Sequence, residues 1–223
     1  MGSCGASLEY GAAGLLILSM RIIELVCLLL AASVSNAQVQ HTVSAIEWSP
    51  ERILKVSDFK VVQKGAPVPE KLGVNQAVTR TGFLYVLTHI NSGREKGRNR
   101  LKVQALMYPG NSYIRAAVLN SGAAAITYLL NHEQKHFDIS EIFAREASRF
   151  LQTHAFSNKS YGTAITNEMQ RLSKEAAALQ TRYDKETNNG RNPLKQEQWN
   201  AYIAKRLSSL SAYSQKEFFI DVQ

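Results

Sequence analysis

The stretch from Ser121 to about Leu151 constrains the fold more than any other part of the chain. Its sequence AAAITYLLNHEQKHFDISEIFAREASRFL is a long helix-forming run, and Ser121 before it is a suitable N-cap. Apolar residues fall on nearly every side of such a helix, which predicts that it is buried against other elements. Its polar residues therefore need partners, because an uncompensated polar group is costly to bury.

Inside this helix stands an HExxH motif, His132-Glu133-Gln134-Lys135-His136. Histidines four residues apart lie on one helix face with about 5 to 6 Å between their Cβ atoms, so both imidazoles can bind one metal ion. Glu133 is rotated by about 100° from His132, which keeps it out of the ligand set but near a water on the metal. The motif predicts a Zn2+ cofactor bound by His132 and His136, with Glu133 as the general base and acid of a hydrolysis.

The composition restricts the other ligands that a metal could use. Cys4 and Cys27 are the only cysteines, and both lie in the first 37 residues, so the rest of the chain has no thiol for a zinc ribbon or a cysteine nucleophile. Asp184 is our first choice for the third ligand, because a carboxylate after a long second helix commonly completes an HExxH site. The alternatives are Glu168, Glu175 and Glu186.

The beginning of the chain has the pattern of an export signal. From Met20, one arginine precedes an apolar run, and Ser35-Asn36-Ala37 offers the small residues that signal peptidase prefers. We therefore expect a signal peptide over residues 1–37, with Met20 as an alternative start, and a secreted or periplasmic product without stable membrane insertion. The alternative is a membrane anchor from Ala13 to Val34, whose two charged residues would each cost about 2.5 to 3.5 kcal/mol in the bilayer.

Removal of this segment leaves a basic domain over residues 38–223. The chain has 26 Lys and Arg against 18 Asp and Glu; residues 1–37 hold one Arg and two Glu, which leaves 25 basic and 16 acidic side chains and a formal charge of +9. Such a charge favours contact with anionic envelope polymers. The only dense basic run, Arg94 to Lys102, lies where a hairpin loop is expected. Because aromatic and basic residues do not interleave, we expect no nucleic-acid partner.

The domain divides into a β-rich half, residues 38–119, and a helical half, residues 120–223. In the first half, short β-prone stretches occur at Ile46–Trp48 and Ile53–Val62. The segments Gly82–Ile90 and Leu101–Met107 have the composition and alternation of a hairpin.

Two further helices are expected over about residues 163–182 and 194–210, because their apolar residues recur at spacings of three and four. The order of these elements predicts an α+β fold, in which an antiparallel sheet packs against the buried HExxH helix and two long helices follow.

The helix sequence Leu129–Arg145 resembles the signature of DUF922, a bacterial family of unknown function described as predicted secreted zinc-dependent proteases. Ile46–Trp48 with Leu54–Phe59, and Tyr183–Thr187 with Gln198-Trp199, resemble the amino-terminal and carboxy-terminal patterns of the same family. The resemblance implies a zincin-like domain that binds zinc and acts on a peptide or protein substrate. A strand edge would then hold the peptide by β-addition.

One position departs from the family pattern. Where the family is expected to show Thr-x-His and a small residue, this chain has Thr187-Asn188-Asn189-Gly190. If that histidine is a ligand, Asn189 replaces it with a weak oxygen donor. The alternative function is therefore a non-catalytic envelope binding or scaffold protein with a zincin-like fold and a degenerate metal site.

The remaining candidates have ordinary structural interpretations. Asp138 and Glu141 fall about 240° and 180° around the helix from His132, so we expect them to support other groups or to pair with Arg145 and Arg149. Tyr183 is either an oxyanion donor or, more in keeping with its place on the apolar seam, a core residue. The other histidines, expected to be exposed or hydrogen-bonded side chains outside the site, are His41, His89 and His154.

Overall fold

A computed structural model describes residues 45–157 and 159–222. The expected signal peptide, both cysteines and His41 lie outside the described residues. Among the helices of the described ranges, none combines the length and the apolarity that a bilayer crossing requires.

The described residues form two sheets and three α-helices. The strands are β1 (Ile46–Glu47), β2 (Lys60–Val62), β3 (Ala77–Val78), β4 (Thr81–His89), β5 (Asn99–Met107), β6 (Tyr113–Arg115) and β7 (Glu217–Ile220). The helices are α1 (Ala123–Thr153), α2 (Tyr161–Thr187) and α3 (Pro193–Ser209). An α+β fold with an antiparallel sheet and three long helices is thus confirmed.

Strand β5 lies at the centre of the larger sheet. It pairs along its whole length with β4, from Thr81 opposite Met107 to His89 opposite Asn99, which confirms the predicted hairpin. Its other edge is shared by β1 at one end and β7 at the other, and all these pairs are antiparallel. The sheet is therefore not confined to the amino-terminal half as we had expected, because β7 returns to it after the helices.

The smaller sheet has the order β2-β6-β3, with β2 parallel and β3 antiparallel to β6. The prediction of a strand over Ile53–Val62 is wrong in its first part. Val56–Asp58 form a turn of 3-10 helix, in which the Asp58 carboxylate accepts from the backbone N–H of Lys55 at 2.8 Å. Only Lys60–Val62 extend as a strand.

Helix α1 runs for 31 residues, and its side chains are mostly buried from His132 onwards. This confirms the predicted buried helix, but not its cap. Gly122, with φ of +88°, is the N-cap, while the Ser121 hydroxyl donates to the Val118 carbonyl at 2.5 Å. Helix α2 continues to Thr187, past the predicted end near Arg182, so that Asp184 lies in its last turn.

Candidate metal centre

Helices α1 and α2 bring three metal-ligating side chains together. His132 and His136 lie one turn apart on α1, with 5.0 Å between their ring centroids, and only 3% and 9% of each residue is exposed. The Nε2 atoms of His132 and His136 lie 3.3 Å and 3.0 Å from the same oxygen, Oδ1 of Asp184. One donor atom from each side chain therefore falls within 4.8 Å of the others, and the group could hold a metal ion.

Two glutamines fix the orientation of the imidazoles. Oε1 of Gln196 lies 3.0 Å from Nδ1 of His132, and Oε1 of Gln180 lies 2.5 Å from Nδ1 of His136. Each amide nitrogen is committed elsewhere: that of Gln180 donates to the His136 carbonyl at 2.9 Å, and that of Gln196 to the Tyr183 hydroxyl at 2.8 Å. Because a carbonyl oxygen only accepts, each Nδ1 carries the proton and donates.

This arrangement fits a metal ion. With Nδ1 protonated, a neutral imidazole presents the lone pair of Nε2, so two lone pairs and one carboxylate oxygen converge on the same region. These three acceptors carry partial or full negative charge and repel one another unless a proton or a metal cation lies among them. Ligating histidines usually donate their second ring N–H in this way, which sets the tautomer and the ring orientation. The nitrogen and oxygen donors suit zinc and related divalent ions.

The pKa values of the group also show that a positive charge is stabilised at this position. Burial disfavours the imidazolium form of His136, but hydrogen bonding to Asp184 and the charges of Asp184 and Glu133 outweigh burial and raise the pKa of His136 to about 9. Burial alone would raise the pKa of Asp184, yet hydrogen bonds from His132 and His136 hold that pKa well below its usual range.

Glu133 lies beside the three donors with its carboxylate held in place. Only 2% of the residue is exposed, and its Oε2 accepts from the Thr79 hydroxyl at 2.6 Å. A small cavity of about 30 Å³ is lined by Glu133 together with His132, His136 and Asp184. A polar cavity of this size accommodates a water molecule.

Tyr183 belongs to the packing that supports the site. It is fully buried, its ring stacks on His132 at 4.7 Å between centroids, and its hydroxyl lies 3.1 Å from the His132 carbonyl, to which it donates. Burial raises the pKa of Tyr183. The structure thus favours the core interpretation of this tyrosine over the oxyanion one.

The segment after α2 packs its backbone against the first histidine. Asn188 and Asn189 adopt the left-handed backbone conformation, with φ of 52° and 51°, and Gly190 follows with φ of 76°. A Cβ atom on Gly190 would lie 3.0 Å from Cγ of His132, so a larger residue at this positive φ would be strained and would push against the imidazole. Asn189 lines the small cavity, while Asp184 already supplies the third donor.

The alternative ligands lie elsewhere. Glu168 and Glu175 both pair with Arg171, and Glu186 accepts from the indole N–H of Trp199 at 3.0 Å. His89 lies 3.0 Å from the Asn99 side chain, and His154 stacks on Phe150 at the end of α1.

Sequence reasoning missed four residues that shape the site, namely Thr79, Gln180, Gly190 and Gln196. One of them had a local signal: Gln180 precedes Asp184 by four residues and therefore shares its helix face. The others act across contacts between distant segments, for which the pattern offers no spacing rule.

Comparison with known proteins agrees with the resemblance drawn from the motifs. Residues 107–191 match the profile of a family described as "Bacterial protein of unknown function (DUF922)", which confirms that resemblance. The matched span contains the HExxH motif, Asp184 and Gly190. No curated protein and no solved structure matches the chain.

Proposed function

We propose that this chain, which carries the DUF922 match, is an exported zinc-dependent metallopeptidase of zincin-like architecture. The observation that carries the proposal is the convergence of the two Nε2 atoms of the HExxH motif on Oδ1 of Asp184, at 3.3 Å and 3.0 Å. Glu133 borders the same small cavity. Two imidazoles and one carboxylate are a donor set of catalytic zinc sites, and the adjacent non-ligating glutamate occupies the place of the general base in an HExxH motif.

The proposed chemistry divides between the metal and the protein. Bound zinc supplies Lewis acidity, which lets water attack a carbonyl near neutral pH. Glu133 takes the proton from the attacking water and returns it to the leaving amide nitrogen. Thr79 engages Oε2 of Glu133, so we assign the proton transfer to Oε1.

The edge of β4 supports a peptide as substrate. In the larger sheet β4 pairs with β5 on one side, and among the described residues no strand pairs with its other side. That outer edge lies beside His136 and Asp184, with which Thr81, Gly82 and Phe83 line one cavity. An unpaired strand edge can bind an extended peptide through main-chain hydrogen bonds. The expected cleavage of the signal at Ala37 adds export to the proposal.

Metal analysis and cleavage together test the proposal. The mature chain, purified without chelator, should hold about one equivalent of zinc. Glu133→Gln should retain that zinc and lose about 10² to 10⁴-fold in cleavage of a quenched fluorescent peptide library. Less than about a tenth of an equivalent of zinc, unchanged in His136→Ala, would refute the metal site.

The cleavage assay, together with a polymer-binding assay, separates the peptidase from the scaffold alternative that Asn189 suggested. In the basic run that would contact an anionic polymer, Arg98, Arg100 and Lys102 pair with Glu95, Glu217 and Glu47. The scaffold alternative wins if Glu133→Gln changes no cleavage while charge reversal of the Arg94–Lys102 run removes binding to an anionic polymer.

A further inference from the structure

A groove leads away from one side of the metal centre. It is a cavity of about 450 Å³, within the range of ligand-binding sites. Its floor is α1, one wall is the chain from Val78 to Phe83, and the other wall is α2. The small cavity of about 30 Å³ lies at the opposite end, toward Asn75 and Leu129. Most of the open volume beside the metal centre therefore lies on the side of the groove.

The contacts along the groove fix its direction. Thr79 bonds Glu133, Thr81 bonds the His136 carbonyl, and Phe83 stacks on Phe143, so this chain segment runs in the same direction as α1. Helix α2 runs the opposite way, because Tyr183 bonds the His132 carbonyl, whereas Gln180, one turn earlier on α2, bonds His136.

The groove is long enough for several residues of extended chain. From Asp184 back to Ser173, α2 rises by about 16 Å at 1.5 Å per residue. Extended peptide covers that distance in about five residues at 3.3 Å each. A peptide in the groove would therefore contact both walls over a span of about five residues.

The backbone of β4 has hydrogen-bonding groups that face this groove. The Ala105 carbonyl accepts at 3.0 Å from the N–H of Trp48, the residue that follows β1 on the far side of β5, so the backbone of Ala105 points away from β4. Phe83 lies opposite Ala105, and in an antiparallel pair the backbone groups of opposed residues both point inward or both point outward. The N–H and C=O of Phe83, and by the alternation those of Thr81, therefore point to the outer edge.

These observations give the bound peptide a polarity. Strand β4 starts at the metal centre and runs away from it. Antiparallel pairing is the slightly more stable arrangement per residue, and a peptide that pairs with β4 in that sense runs toward the metal centre. Resting on the proposed function, we infer that the groove binds about five residues of an extended peptide on the amino-terminal side of the scissile bond. The small cavity then receives a short or small group on the carboxy-terminal side.

The wall that α2 contributes determines which side chains fit. Beyond Gln180 and Asp184, which lie at the metal centre, this wall is formed by the small residues Ser173, Ala176 and Ala177, which leave room for substrate side chains. Large apolar side chains of the substrate fill this space, and Ala177 is the residue that selects for them.

A pair of neighbouring alanines provides a matched test. Ala177 lines the groove, whereas Ala178, also exposed on α2, is absent from its lining. The zinc-loaded mature chain is assayed with peptides that are lengthened one residue at a time on either side of the cleaved bond. The value of kcat/KM should rise with each residue added on the amino-terminal side, up to about five, and little on the other side. Ala177→Trp should lower kcat/KM for the longest substrate by about tenfold or more, with unchanged zinc content, while Ala178→Trp stays within about twofold.

The outcomes separate this inference from the proposed function. If peptides are cleaved but the gain lies on the carboxy-terminal side, or if both tryptophan variants behave alike, the groove assignment is wrong and the peptidase stands. If nothing is cleaved, anisotropy measures binding of the longest labelled peptide to zinc-loaded Glu133→Gln. Weaker binding in Ala177→Trp and not in Ala178→Trp supports the groove; no binding, or equal binding by both variants, overturns it.

Discussion

Helix α1 contributes to two clusters of largely buried polar side chains, and the two clusters balance their charges in opposite ways. The first is the candidate metal centre of His132, His136 and Asp184, which could hold a metal ion. The second, which we call the ion cluster, consists of Glu141, Arg145 and Lys216. Glu141 is fully buried, and its two oxygens accept from Nε of Arg145 at 2.7 Å and from the Lys216 ammonium.

The ion cluster supplies its own cations, whereas the metal centre presents only acceptors. The charges of Arg145 and Lys216 lie 5.3 Å and 5.8 Å from the centre of the Trp48 ring, and the Trp48 indole N–H donates to Asp138 at 2.9 Å. Burial alone does not distinguish Glu133, the acid to which we assign catalysis, because Glu141 is at least as buried. The difference lies in whether the side chains around a carboxylate already balance its charge.

Breaking the ion cluster should have the largest effect on stability. Glu141→Ala leaves two cations at a buried position without their anion, and removal of one partner from a buried pair costs about 3 to 5 kcal/mol. Urea unfolding should show this loss, while the zinc content of the folded protein stays unchanged. A zinc loss as large as that of His136→Ala would show that the two clusters are not separate.

Gly190→Ala should affect the metal centre from its backbone side. The new Cβ would meet the His132 ring, and a non-glycine residue at positive φ costs about 1 to 2 kcal/mol. We expect His132 to shift and the zinc affinity, measured by competition with a chromogenic chelator, to fall by about 10 to 100-fold. Gly162→Ala, where a Cβ would meet nothing within 4 Å, is the control and should leave affinity unchanged.

The glutamines should tune the metal centre without belonging to the ligand set. Gln180→Ala removes the acceptor for Nδ1 of His136, and loss of such a partner costs about 10 to 100-fold in metal affinity. Gln180→Glu keeps an acceptor and should restore most of the affinity. Equal affinity in all three proteins would contradict the positioning role.

Protons should substitute weakly for the metal in the zinc-free protein. The pKa of His136 is raised from 6.5 to about 9, so the folded state binds its proton more tightly than the unfolded chain does. The resulting stabilisation is fully present below about pH 6.5 and disappears as the pH rises through about 9. Urea unfolding of the zinc-free protein across this range checks the sign, and a stability that rises with pH in the same window for wild type but not for His136→Ala would contradict it.

The sequence predicted the parts of the molecule that depend on local periodicity. The β4–β5 hairpin followed from alternation, and α1 with its HExxH motif followed from helical spacing and apolar character. Asp184 could be chosen because a helix seam ends beside it. The position of β7 could not be predicted, since four residues carry no information about which strand they will join.

The residues that support the metal centre could not be predicted from the sequence, for a related reason. Gln196 reaches His132 from α3, and Thr79 reaches Glu133 from the short connection between β3 and β4. Such contacts depend on how distant elements pack together. In the sequence Gly190 is only the small residue after Asn189, and the packed structure shows that its missing side chain makes room for an imidazole.

The most direct test of the metal centre is a zinc-edge anomalous difference map from crystals of the mature protein grown with zinc. We predict a strong peak within about 2.0 to 2.2 Å of Nε2 of His132, Nε2 of His136 and a carboxylate oxygen of Asp184. A map without a peak between these three side chains, or with zinc bound only elsewhere on the protein, would contradict the account.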